Sequence, residues 1–501
     1  MVLGPGRSQV CPGCVEHLVR SRADIALLHR ATTNGGSNSP MSFASGGRRP
    51  QVLLLSAKTG AALDAMSSNL AGHLRSYPDL DLAAVAHTLG TGRRQFARRR
   101  AVVCTSAPEA ADLLAGSPDI AGVAESEPGT IFMFPGSGNH YAGMGRELYD
   151  LYPAYRRAVD ECTELLGGTH LADLGRPSVS LPATLVTEYA LAELLMSWQL
   201  RPTAMIGHSV GEYAMAVAAK VMSLPDALRL VALRGELLER AGGSMLAVPL
   251  PVSEVEPLPA DLDLAAINAE RMCVVSGPSA AITAFAAQLQ AREIDPVPME
   301  FGCAGHCRLL DPALEEFRAA VSAVPLRPPA IACVSGLTGG YVSDELSTAE
   351  YWVRQMREPV RFGPALAMLT APGDSVLIEV GPGQSLSGVI RHGQALPPPV
   401  VATMPHRRRP EPEAQFLLKT VAQLWVRGVR LSRAALAADE TRRKVELPAY
   451  PLDRQKYWIS PARTSDDAGT APPSTATGPE ATGPEATGPG GLTALIAGRP
   501  R

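Results

Sequence analysis

Ala204-Met205-Ile206-Gly207-His208-Ser209-Val210-Gly211-Glu212-Tyr213-Ala214-Met215-Ala216 is the stretch on which the reading of the chain turns. An apolar strand runs into Gly-x-Ser-x-Gly and leaves as an apolar helix, and the small residues flanking Ser209 let the backbone turn sharply and present the hydroxyl. The turn also sets Ser209 at a helix N-terminus, where backbone N–H groups and the helix dipole favour developing negative charge. A glycine-bounded turn with a capping serine is the plain alternative. The strand before and the helix after supply the context a nucleophile requires.

A serine nucleophile needs a base, and a nearby histidine is the usual one. Of ten histidines, His306 stands out: Phe301-Gly302-Cys303-Ala304-Gly305-His306-Cys307 places it past a strand-like run, among small residues that leave room for a substrate. Alone, such a histidine is more often a hydrogen-bonded structural residue. The serine raises its standing. His208 is a poor rival, because a side chain adjacent to Ser209 along the chain points elsewhere. Arg234 is the third feature. Its neighbours at i−4, i−3, i+3 and i+4 are Leu230, Val231, Leu237 and Leu238, so the guanidinium emerges on the apolar face of a helix opened by Ser223, Pro225 and Asp226. A permanent charge there needs an anionic partner. Two readings stay open: an internal pair with a carboxylate such as Glu212, or a clamp for a substrate carboxylate.

Outward from these residues, Thr130-Ile131-Phe132-Met133-Phe134 is a strand entering Pro135-Gly136-Ser137-Gly138, and alternating strands and helices continue to about residue 390. That order predicts a mostly parallel sheet with helices on both faces. Residues 244–301 have their own β-α-β-β-α-β order, with strands at Met245–Val248, Leu264–Ile267, Met272–Val275 and Val297–Phe301, the split pattern of a ferredoxin-like subdomain. Upstream, residues 49–128 read as a small α/β domain, with strands at Val52–Ala57 and Ala101–Cys104 and helical spacing at Leu63–Leu74 and Asp79–Leu89. Residues 391–460 read as a strap lying on other domains, with an amphipathic helix at Ala414–Val426. Residues 1–48 and the Ala-Thr-Gly-Pro repeats of 461–501 read as disordered.

The chain has 501 residues, and 46 Lys plus Arg against 49 Asp plus Glu give a net charge of −3. With 46 % apolar residues it can bury a large core. The near-neutral balance and the lack of a long basic run argue against a nucleic-acid partner. No uninterrupted apolar run approaches the roughly 20 residues of a spanning helix, and no signal core opens the chain, so a cytoplasmic protein without a membrane partner is expected. Most of the eight scattered cysteines read as reduced thiols. Cys11-Pro12-Gly13-Cys14 with His17 is half of a zinc site and lacks its complement, so no metal is expected.

Residues of about 50–460 resemble the acyltransferase unit of modular polyketide synthases, a relative of the malonyl-CoA:acyl-carrier-protein transacylases of fatty acid synthesis. Phe134-Pro135-Gly136-Ser137-Gly138 is similar to the family's Phe-Pro-Gly-Gln-Gly turn, Gly207–Glu212 matches its nucleophile motif, Val231-Ala232-Leu233-Arg234-Gly235 resembles the segment with the carboxylate-binding arginine, and Ala304-Gly305-His306 falls on the catalytic histidine. Glu379-Val380-Gly381-Pro382-Gly383 also matches. Residues 50–128 and Leu447–Trp458 look like the linkers before and after the acyltransferase. The resemblance implies an α/β-hydrolase-like core at 129–390 with the ferredoxin-like insertion, and Ser209 and His306 as catalytic residues. It implies Val210 and Ser137 N–H groups in the oxyanion hole, and Arg234 on the free carboxylate of a malonyl-type unit. No cofactor is held; acyl-CoA is the donor substrate, and the partner is an acyl carrier protein bearing phosphopantetheine. A ketosynthase or another synthase module in trans is the other implied partner.

Three positions depart from the family pattern: Ser137 and Leu181 replace glutamines of Phe-Pro-Gly-Gln-Gly and Gln-Pro-Ala, and Cys303-Ala304-Gly305 stands where malonyl-selective members carry His-Ala-Phe and methylmalonyl-selective ones Tyr-Ala-Ser. Gly305 in place of phenylalanine removes a wall and favours an α-substituted malonyl unit; Val210, where methylmalonyl members often have glutamine, points the other way. Forty-eight residues ahead of the linker cannot hold a ketosynthase, so the expectation is a free-standing protein or a fragment of a longer synthase. The competing readings are an acyl hydrolase with the same elbow and a non-catalytic docking protein.

Overall fold

The computed structural model describes residues 49–116, 120–167, 174–370, 374–393, 397–437 and 443–452. The Cys11/Cys14/His17 cluster, the terminal repeats and the strap beyond Leu452 lie outside these residues.

The apolar run at the start of the described chain becomes β1 (Gln51–Ala57), which pairs antiparallel with β2 (Arg98–Cys104); β2 in turn pairs with β3 (Ile120–Val123). Side chains alternate across the strand. Leu53 and Leu55 face α1 (Gly60–Ser76), α2 (Leu82–Gly92) and α3 (Ala107–Ala115), packing with Leu63, Leu70, Val85 and Leu114. Val52 and Leu54 face the opposite way and join the main core. A strand covered on both sides is why the run is continuous rather than alternating. Thr59, Asp81 and Ser106 cap the three helices by accepting the N–H groups of Ala62, Ala83 and Glu109.

The main body opens with β4 (Gly129–Phe134), continues through α4 (Arg146–Leu151), α5 (Pro153–Leu165) and α6 (Pro177–Ser197), and reaches β5 (Ala204–Gly207), α7 (Gly211–Ala218) and α8 (Leu224–Ala241). The subdomain follows: β6 (Ser244–Val248), α9 (Val252–Val255), β7 (Asp263–Ala269), β8 (Met272–Gly277), α10 (Ser279–Gln290) and β9 (Val297–Pro298). Its antiparallel sheet has the order β7-β8-β6-β9, as a ferredoxin-like unit requires. The chain then returns through α11 (Leu314–Ser322), β10 (Ala332–Val334), β11 (Tyr341–Val342), α12 (Ala349–Arg357), α13 (Phe362–Thr370), β12 (Ser375–Glu379), α14 (Ser385–Gly393), β13 (Val400–Ala402) and α15 (Glu413–Val426). The central sheet, ordered β11-β10-β5-β4-β12-β13, is parallel except at β10–β11. Because Phe134 pairs with Gly207, the loops after β4 and β5 leave the same carboxyl edge side by side, where open α/β sheets place their sites.

Two expectations need correction. The strand expected to reach Phe301 ends at Pro298; Met299 still donates to Met245 O, after which Gly302, at φ 72°, turns the chain away from the sheet toward His306. The described part of 391–460 is more than a strap: β13 is an edge strand of the central sheet beyond residue 390, and α15 is buried against β1 and β2 on one side and the main core on the other. Among the described helices only α6 is long and apolar enough to cross a bilayer, and it lies inside the core.

Candidate active site

The turn after β5 is tight enough to explain both of its glycines. A Cβ on Gly207 would lie 2.3 Å from Glu212 N, and one on Gly211 would lie 2.2 Å from Phe134 O. Ser209 between them takes φ 54°, the left-handed conformation that lifts its hydroxyl off the sheet edge.

Ser209 Oγ is 2.8 Å from His306 Nε2, and His306 Nδ1 is 2.8 Å from the carbonyl oxygen of Glu358. A carbonyl only accepts, so Nδ1 carries the ring hydrogen and Nε2 turns a lone pair toward the serine O–H. This is the geometry of a general base, oriented by backbone rather than by a carboxylate. Burial, and then the facing Arg234 cation, push the His306 imidazole down to about 3, so it is neutral at ordinary pH. The rival His208 points away: its Nε2 meets Asn268 Oδ1 at 2.8 Å and its ring lies against Phe362.

Arg234 reaches the same point from α8. It is 2 % exposed, and Nη2 donates to Ser209 Oγ at 3.3 Å while lying 3.5 Å from His306 Nε2. Nη1 donates to Gln355 Oε1 at 2.6 Å, and Nε is buried without a partner among the described residues. The internal-pair reading fails on geometry, because Glu212 accepts instead from Gly336 N and Tyr351 Oη, each at 2.7 Å. A buried guanidinium with unused donors and no carboxylate partner among the described residues is a receptor for an anion.

Sequence reasoning missed two supports. Gln355 on α12 bridges the site, its Nε2 donating to Ser209 O at 2.7 Å while its Oε1 holds Arg234. The available signal was a glutamine on the helix face of Tyr351 and Trp352, where a polar group must find partners inside. The carbonyl of Glu358 left no signal, since backbone atoms have no residue type.

The oxyanion candidates come from the two adjacent loops. Val210 N stands at the start of α7, and neither it nor Ser137 N has a hydrogen-bond partner among the described residues. The turn carrying Ser137 is pressed onto the elbow, as a Cβ on Gly136 would lie 2.3 Å from His208 O. From below, Glu188 Oε1 accepts the Gly136 N–H at 2.8 Å.

Leu181 is sealed within the main core on α6 and offers no polar atom. Cys303 is buried, which pushes its thiol up to about 12 and leaves it unreactive. Gly305 is less open than its lack of a side chain implies. A Cβ there would meet Met245 Sδ at 3.8 Å and Leu238 Cδ2 at 3.9 Å, so two apolar side chains already approach the space an aromatic ring would take. Among the described residues no group of three or more His, Cys, Asp and Glu can hold a metal ion.

Comparison with known proteins bears on this arrangement. The acyl transferase domain family matches residues 131–431, and a family described as CurL-like, PKS C-terminal matches 51–114. The acyl transferase domain of ZmaA is 34 % identical, covers 81 % of this chain and all of its own, and superposes with a TM-score of 0.74. The acyl transferase domain of SpnD, solved in complex with 2-(pent-4-yn-1-yl)malonyl, is also 34 % identical, over 78 % of this chain and 98 % of that one, with a TM-score of 0.72. Mycoketide-CoA synthase of Mycobacterium tuberculosis is 34 % identical over 438 residues, which are 83 % of this chain but 10 % of the synthase. The chain spans between 8 % and 32 % of the length of the curated relatives it matches.

Proposed function

Because the chain belongs to the acyl transferase domain family, in its polyketide synthase branch, we propose that it moves a malonyl-type extender unit from acyl-CoA, through a Ser209 ester, to the phosphopantetheine thiol of an acyl carrier protein. The observation that carries this reading is the meeting of a hydroxyl, a neutral imidazole and an unpaired guanidinium within 3.5 Å.

His306 Nε2 takes the Ser209 proton as Oγ attacks the thioester carbonyl. The tetrahedral oxyanion accepts from the N–H groups of Val210 and Ser137. As the C–S bond breaks, the imidazolium returns its proton to the departing CoA thiolate. The carrier thiol then gives its proton to His306, its sulfur attacks the ester, and Ser209 Oγ leaves with that proton. Arg234 turns from Ser209 Oγ to the free carboxylate of the bound unit. Pairing there removes the cation's opposition to imidazolium, so His306 becomes a stronger base when a diacid is bound. A simple acyl group leaves the guanidinium unpaired and is disfavoured.

The α-substituent of a substituted malonyl unit would lie against Gly305, with the pliable Met245 and Leu238 as its outer wall. Intact-mass measurement after exposure to malonyl-, methylmalonyl- and ethylmalonyl-CoA tests this: the added mass reports the unit, and strict malonyl loading refutes the pocket argument. The carrier protein and a ketosynthase acting with it are the partners this reading requires, in the cytoplasm, where acyl-CoA is available.

A further inference from the structure

Glu188 takes no part in the chemistry above, yet it lies in the middle of α6 with no exposure to solvent. Its Oε1 accepts the Gly136 N–H at 2.8 Å; its Oε2 has no partner among the described residues. The carboxyl is wedged between two turns. On one side is Phe134-Pro135-Gly136; on the other is Gly381, whose Cβ would lie 3.2 Å from Glu188 Cγ and 2.6 Å from Pro135 Cδ. A leucine would serve packing better, since a buried carboxyl with an unpaired oxygen costs stability in either protonation state. What Glu188 provides is a fixed acceptor beneath one peptide.

That peptide matters because Gly136 sits at φ 71° against the elbow and is followed directly by Ser137. The turn is thus pinned from above by the elbow and from below by Glu188. We infer that Glu188 is a positioning residue for acylation of Ser209: by holding Gly136 it aims the Ser137 N–H at the oxyanion. The inference rests on the acyl-transfer reading only in taking Ser209 as nucleophile and Ser137 as oxyanion donor.

The charge of Glu188 has a consequence of its own. Burial, with a smaller contribution from Glu379, pushes its carboxyl up to about 8. Glu379 reaches it from β12, where its own oxygens accept the N–H groups of Leu386 and Ser387. From α5 the phenol of Tyr155 meets the adjacent Thr187 and stays neutral, and the Pro135–Gly136 turn brings no charge. Glu188 has no ion pair with a cation among the described residues. A raised value means the neutral form holds below pH 8 and the carboxylate forms above it. A negative charge beneath the oxyanion site opposes the charge developing there.

The test is the rate at which a fluorophosphonate labels Ser209, which needs the oxyanion hole but no particular acyl donor. In the unmutated chain labelling should slow between pH 7 and 9.5. Glu188→Gln keeps an acceptor for Gly136 but does not ionise; it should match the unmutated rate at pH 7 and hold it at pH 9.5. Glu188→Ala should label about tenfold more slowly at pH 7, less than the full loss of an oxyanion donor. A Glu188→Gln rate that falls with pH in parallel with the unmutated chain, or a Glu188→Ala rate within twofold of it, overturns the inference. If Glu188→Ala does not fold, the pH profile of Glu188→Gln decides alone. A chain that takes the probe normally but transfers no acyl group to a carrier refutes the acyl-transfer reading and not this one.

Discussion

Replacing Arg234 with alanine should erase the preference for diacid thioesters. The guanidinium is buried, held by Gln355 and directed at Ser209, with no carboxylate of the described residues in hydrogen-bond contact with it. A bound malonyl carboxylate would take two charge-assisted hydrogen bonds, each worth about 1.5–3 kcal/mol. Taking the lower end for both gives about 3 kcal/mol, which at about 1.4 kcal/mol per decade is roughly a 150-fold loss in kcat/KM for acylation. Acetyl-CoA offers no carboxylate, so its already low kcat/KM should hold or rise as the buried cation disappears. Arg234→Lys keeps the charge but loses the planar fork, and should fall between the two. The assay is CoA release in the first turnover, with malonyl-CoA and acetyl-CoA compared at equal enzyme. A loss below fivefold for malonyl-CoA, or equal losses for both donors, would refute the assignment of the guanidinium to the substrate carboxylate.

Gln355→Ala unhooks Arg234 and frees the Ser209 carbonyl, and should slow acylation about tenfold with a small drop in melting temperature, by the usual worth of one or two buried hydrogen bonds; a rate within twofold in the same first-turnover assay would show that the bridge is idle. Met245→Ala should enlarge the space beside Gly305 and raise the ethylmalonyl-to-malonyl ratio of kcat/KM by about 10-fold, the usual worth of a methylene-sized pocket change; a ratio that falls would move the substituent elsewhere. Because burial and Arg234 depress His306 to about 3, its base form is present in the free chain throughout the working range and is lost only as pH falls toward that value. kcat/KM for acylation should therefore stay level from pH 7 down to about 5, and the acid limb of kcat should lie higher, since carboxylate binding relieves the cation. An acid limb of kcat/KM near 6.5 would contradict the geometry.

The reacting side chains were legible because each leaves a local mark. Ser209 is framed by two glycines that the turn cannot do without, His306 follows a run of small residues, and Arg234 violates the apolar face of its helix. Gln355 was not legible, because its role depends on α12 and α8 meeting across 121 positions of sequence. The Glu358 carbonyl and the Gly136 amide carry function through backbone atoms, which every residue has. For the fold, β-α-β-β-α-β spacing sufficed to place the subdomain, since its contacts are local. The place of α15 was not legible for the opposite reason. Its helix pattern fits an outer strap as well as an inner layer, and only the sheet face of Val52, Leu54, Ala101 and Val103, presented from far upstream, makes α15 an inner one.

The most direct trial of the central claim is a chase. The chain is loaded with radiolabelled malonyl-CoA, freed of donor, and mixed with a carrier protein bearing phosphopantetheine. The label should leave Ser209, reach the carrier thiol, and be absent from the start in Ser209→Ala. Label released as free malonic acid at the same rate without the carrier, or retained equally by Ser209→Ala, contradicts it.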